Sequence, residues 1–136
     1  MSYGVSSALQ AAVFQKLSGD AALSALVGAA IFDALPAGVV PPLYVALGPE
    51  RVKDASDQTG GGAVHEVLIS VVTDQAGFAG AKDVAGLISD ALVDADLSLA
   101  RGKLVSLRFY KAAAARVGTG DQRRIDLTFR ARVCDG

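Results

Sequence analysis

The chain has no tryptophan, one cysteine, one histidine and one methionine in 136 residues, and each scarcity removes a kind of chemistry. A single cysteine, Cys134, cannot close an internal disulfide, and without a base beside it in the sequence it reads as an inert thiol. One histidine cannot build a histidine-rich metal centre, and no metal-ligand spacing of Cys, His, Asp and Glu occurs. That histidine, His65, adjoins Glu66, but neighbours on a strand point to opposite faces and cannot act together as an acid–base pair. The hydrophobic runs are too short to cross a bilayer. Met1-Ser2-Tyr3-Gly4 has neither the basic start nor the apolar core of a secretory signal, which leads to the expectation of a cytoplasmic origin.

What is present is enough for one domain, 1–136, with a core of its own: half the residues are hydrophobic and a fifth are charged. The net charge of −1 conceals a strong asymmetry. Residues 1–99 hold 4 Lys and Arg against 11 Asp and Glu, and residues 100–136 hold 9 against 3, or −7 and +6. A chain with oppositely charged halves suits head-to-tail contact between copies, if the polarity survives folding.

The pattern of elements is legible along most of the chain. Val5, Leu9, Ala12, Val13 and Leu17 recur at helical spacing before Ser18-Gly19, and Asp20 can cap a second short helix that stops at Gly28, with Ile31-Phe32 running on toward the core. Pro36, Pro41 and Pro42 impose a loop, after which Leu43 to Gly48 reads as a strand. A second strand runs from Val64 to Asp74, and Ala81, Val84, Ala85, Ile88, Ala91 and Leu92 make the stripe of a helix over about 78–95. Two closing strands, Leu104 to Tyr110 and Arg124 to Val133, flank the Ala112–Ala115 run and the turn at Gly118-Thr119-Gly120-Asp121. The order α-α-β-β-α-β-β predicts an α+β fold, a mainly antiparallel sheet of about four strands with helices packed on it.

Two segments attract a functional reading. From Pro49 to Gly62 apolar residues nearly vanish, so Asp54, Asp57, Gly60, Gly61 and Gly62 belong to an expected flexible loop. The three glycines lead into a strand, not into a helix with Lys-Ser/Thr, so they do not make a phosphate cradle. Arg108, Arg130 and Arg132 fall on the outward side of the closing strands, with Arg124, beside Arg123, at their turn, the one concentrated basic patch. With only Tyr110 among these arginines, a subunit or partner contact fits better than sequence-specific nucleic-acid binding.

Pro42-Leu43-Tyr44-Val45-Ala46-Leu47-Gly48, then His65-Glu66-Val67-Leu68-Ile69-Ser70-Val71-Val72-Thr73-Asp74, then Gly77 and the helix to Leu92, resemble in their order and spacing the phage tail terminator (tail completion) family. The likeness is to the form found in long non-contractile tails and alphaproteobacterial gene transfer agents, and it covers nearly the full chain. It implies a structural virion protein and not an enzyme, with no cofactor, assembled in the bacterial cytoplasm as a ring, by analogy a hexamer. Such a ring caps the head-proximal end of the tail tube, stops tube polymerisation and gives the head its joining surface. The partners implied are copies of the chain, the tail tube protein and a connector or stopper protein, with DNA passing transiently and without sequence preference through the lumen, and no membrane. Another head-tail part, a stopper or adaptor, and a small ligand-binding or enzymatic α+β domain are the alternative readings.

Overall fold

In the computed structural model, residues 3–56, 60–118 and 122–135 are described. Helix α1 spans Ser6–Ser18 and turns Val5, Leu9, Val13 and Leu17 inward at four-residue intervals, all but buried. Helix α2, Ala21–Val27, is capped as its sequence predicts: Asp20 accepts a hydrogen bond from the Leu23 N–H at 2.9 Å, and Gly28 stops the helix at φ +59°. Helix α3, Ala79–Leu92, buries Ala81, Val84, Ala85, Ile88 and Leu92. It ends three residues before the expected point because Asp94 takes a left-handed φ of 57° and gives its N–H to the Leu107 carbonyl on a strand.

The sheet is mixed and has five strands in the order β1-β2-β3-β5-β4, not four antiparallel ones. The additional strand, β1 (Ile31–Phe32), runs parallel to β2 (Leu43–Asp54) on residues Val45 and Ala46. Two residues carry no readable periodicity, and only the parallel pairing makes them a strand. Strands β3 (Gly62–Thr73), β4 (Lys103–Arg116) and β5 (Arg123–Cys134) complete the sheet with antiparallel ladders.

A second correction concerns β2, which continues past Gly48 where a loop was expected. Glu50, Arg51, Val52, Lys53 and Asp54 pair with Val67 through Ala63 of β3, beyond a register shift between Leu47 and Glu50. Proline has no N–H to give a ladder, so Pro49 interrupts the pairing without ending the strand. The connection between β2 and β3 therefore begins only at Ala55.

The three helices pack on one face of the sheet, against Val45, Ile69, Val71, Leu107, Leu127 and Phe129, which are all but excluded from solvent. On β5 the alternation is the expected one, with Ile125, Leu127, Phe129, Ala131 and Val133 inward; Thr128, though it faces outward, is also buried. No described helix covers the outward face.

Candidate functional site: the bare sheet face

Pairing register places the charged side chains of the outward face in rows across the strands. Arg51 of β2 lies opposite Glu66 of β3, Glu66 opposite Arg130 of β5, and Arg130 opposite Arg108 of β4. The next row holds Lys53, Val64, Arg132 and Ser106. Five cations thus share one end of the face with one carboxylate. Like charges directly opposite on neighbouring strands weaken a sheet, so the Arg108–Arg130 pair serves the fold poorly. Arg130 is eased by Glu66, 3.4 Å away, and by the Tyr110 ring, whose centroid lies 3.5 Å from its guanidinium carbon.

Toward the other end, Arg124 sits 2.6 Å from Asp126, which also accepts a 2.6 Å hydrogen bond from the Ser70 hydroxyl. Six residues of strand, roughly 20 Å at the usual rise per residue, part Arg124 from Arg130. The four arginines singled out from sequence therefore share one face but do not make one cluster: Arg108, Arg130 and Arg132 group together and Arg124 stands apart. A trough of about 520 Å³ lies between, floored by Leu68, Ala113 and Thr128 and edged by Arg51, Glu66 and Lys111.

The glycine-rich connection meets this face at its basic end. Gly62 opens β3 opposite Cys134, and the Arg132 guanidinium lies 3.4 Å from the Ala55 carbonyl. Gly60 forms an isolated bridge, the Gly61 carbonyl accepts the Asp135 N–H, and Gly62 is close enough to the Ala55 carbonyl that a Cβ would stand 3.0 Å from it. Asp54 is turned into its own loop: the Ser56 hydroxyl donates to it at 2.6 Å and holds its carboxyl below the usual range. Asp57 lies outside the described residues. The loop and the arginines, read as separate features of the sequence, are thus neighbours in space. Arg51 and Lys53 were missed because Pro49 masked the strand that carries them to this face.

One polar cluster was also missed, on the helical side. His65 is fully buried, its Nδ1 lies 3.4 Å from Glu50 Oε2, and the Tyr3 and Ser6 hydroxyls donate to Glu50 Oε1. Burial pushes the Glu50 carboxyl up, but the hydrogen bonds from Ser6, Tyr3 and His65 outweigh it and hold the group below its ordinary value. A serine, a glutamate and a histidine together invite comparison with a hydrolytic triad. The order is wrong for one, since Ser6 gives its proton to the carboxylate and not to the imidazole that would have to act as its base. The cluster fastens the start of α1 to β2 and β3. Its signal in the sequence was the alternation that sends His65 to the core side with Ile69 and Val71.

Among the described residues no group of three or more His, Cys, Asp and Glu is placed to hold a metal ion, and no helix is long and apolar enough to cross a membrane. The chemistry on display is that of contact: a charged, partly apolar sheet face with a glycine-rich loop at its rim. Such a face is suited to contact with a partner.

The sequence matches the family described as tail completion protein gp17 over residues 11–134, and the chain belongs to that family. Among solved structures it is similar to a chain of "Virion of native gene transfer agent (GTA) particle". The two share 62% identity and a TM-score of 0.94, over 98% of this chain and 99% of the other. No curated protein matches it.

Proposed function

We propose that the chain assembles into a ring, most simply a hexamer, on the head-proximal end of a tail tube. The ring stops the tube from growing and offers the surface on which the head docks. The observation that carries this reading is the end-to-end likeness to a chain of a gene transfer agent virion, at 62% identity and with both chains covered almost completely. The geometry supports it: Ala55, at the start of the glycine-rich connection, and the Arg51, Lys53, Arg130 and Arg132 group stand together on a face with no described helix over it. Tube and connector are its partners in this reading, DNA crosses the lumen without specific contact, and no catalytic step is required.

The test is microscopy of particles from a strain that lacks the gene. Separated heads beside tails of abnormal or ragged length are expected, and complementation restores joining. Normal tails on joined heads would overturn the proposal. Tails of normal length that fail only to join would move the chain to a stopper or adaptor, a reading also checked by whether tube protein co-purifies with it. A shorter loop, lacking 57–60, should give a folded chain that does not join tails to heads.

A further inference from the structure

Two largely apolar surfaces lie apart on the molecule, one on α2 where the chain leads into β1 and one on β4, β1 and β4 being the two edge strands of the sheet. Beside the β1 edge, the solvent-facing residues of α2 and its exit are Ala21, Ala22, Ala25, Leu26 and Ala29, together with Gly28. Leu26 is 48% exposed, and the loop after β1 adds Val39 at 96%. Apart from the half-exposed Ser24, α2 is apolar, yet only Leu23 and Val27 are buried and one side of it is bare. Asp20 and Asp33 flank this patch in the chain.

At the β4 edge the strand is bare on its far half. Ala112 to Ala115 are exposed, as are Phe109 and Val117. Asp94 occupies the edge at Leu107, but from Phe109 to Ala115 the side of β4 turned away from β5 has no backbone partner among the described residues. Exposed apolar side chains gathered on one strand mark a surface for contact with a partner. Its charges are all cations: Lys111 lies within the stretch, and Arg108 and Arg116 flank it.

We infer that these two patches are one interface: the β4 edge of each copy, Phe109 to Ala115, seats against the α2 patch of the next copy. One surface adjoins the chain's entry into β1 and the other is on β4, the two opposite edge strands of the sheet, so the two cannot meet within a chain. They differ from each other and carry opposite flanking charges, so each fits the other and not itself. Pairing β4 with β4 would set Arg108 and Lys111 against their own kind and would stop at a dimer. Contact between unlike patches repeats from copy to copy and closes when the rotation allows, which is the geometry a ring needs. The inference rests on the ring reading above and says which surfaces make the ring.

The test uses purified particles whose chain carries Cys134→Ser together with Ala25→Cys and Ala112→Cys, treated with a flexible bismaleimide. The double variant should give a ladder of this chain up to the full ring on denaturing gels, while either cysteine alone gives no ladder. A ring visible in micrographs with no ladder overturns this interface and leaves the ring standing. Links from Ala112→Cys to a different protein overturn the second copy as occupant. Absence of any ring overturns the ring reading itself, and the interface with it. In solution, Leu26→Glu and Phe109→Glu should keep the circular dichroism of the parent and weaken self-association about tenfold or more. Unchanged association in both would also overturn the interface.

Discussion

Replacing Glu50 by alanine tests whether the Tyr3, Ser6, Glu50 and His65 cluster anchors α1. The carboxylate serves three donors at once, two of them on buried residues, Ser6 and His65. Leaving a buried polar group without its partner costs about 1–3 kcal/mol. Tyr3 is largely exposed and can turn to water. Relief of the desolvated carboxylate offsets part of the loss, so the net cost should be about 2–4 kcal/mol. In a domain of this size that corresponds to a fall in melting temperature of about 10 °C. Urea and thermal unfolding followed by circular dichroism measure it. A loss below about 1 kcal/mol would refute the anchoring argument.

The pH dependence gives an independent check with a determined sign. The folded carboxyl is held below its ordinary value of 4.5, so the unfolded chain takes up the proton first as pH falls. The stability that Glu50 contributes is therefore present above about pH 4.5 and is lost as pH drops through the lower, folded value. Glu50→Gln removes that titration while keeping the side chain's length and an acceptor oxygen. Its unfolding midpoint should fall less steeply than the parent's between neutral and acid pH. Parallel profiles would refute the assignment.

Three further outcomes follow from the same structure. Asp20→Ala removes the acceptor for the Leu23 N–H and should cost about 1 kcal/mol in urea unfolding. Gly102→Ala combines a φ of +73° with a Cβ that would stand 2.6 Å from the Cys134 carbonyl, and should cost more than about 2 kcal/mol. Arg130→Glu with Arg132→Glu breaks only half-exposed or weak contacts, so unfolding should shift by less than about 1 kcal/mol. Ring formation or docking should nevertheless weaken, most at low salt, as read by sedimentation and by particle yield.

The sequence disclosed the elements whose signal is local. Helix α1 declared itself by Val5, Leu9, Val13 and Leu17, α2 by Asp20 and Gly28, and β5 by a clean alternation from Ile125 to Val133. It was silent where the decisive partner is distant. Ile31 and Phe32 are a strand only because Val45 and Ala46 lie beside them. Residues 50–54 look like loop by composition and become strand because β3 has a free edge for them. The basic group on the face shared this fate: Arg108, Arg130 and Arg132 were legible from alternation, whereas Arg51 and Lys53 needed the register past Pro49. The buried contact between Glu50 and His65, fifteen residues apart, needed the same register.

Charge polarity along the chain becomes polarity between the two broad faces, though not by the route its halves suggest. The cations of the last third lie largely on β4 and β5, which are neighbours, so Arg108, Arg124, Arg130 and Arg132 share one face. Strand β2 then carries Arg51 and Lys53 from the acidic portion across to the same face. The helical layer and its ends keep Asp20, Asp83, Asp90, Asp94 and Asp96, against Lys16, Lys82, Arg101 near Gly4 and Arg123 over the Phe78 ring. A body whose broad faces differ in sign meets a charged partner in one orientation, because the reversed approach sets like charges together and is repelled before contact. Apolar patches at the sheet edges and opposite charges on its faces are therefore separable instructions. In the proposed ring the apolar patches would decide which copies join side by side, and the faces would decide which way up the joined copies sit on whatever lies above and below them.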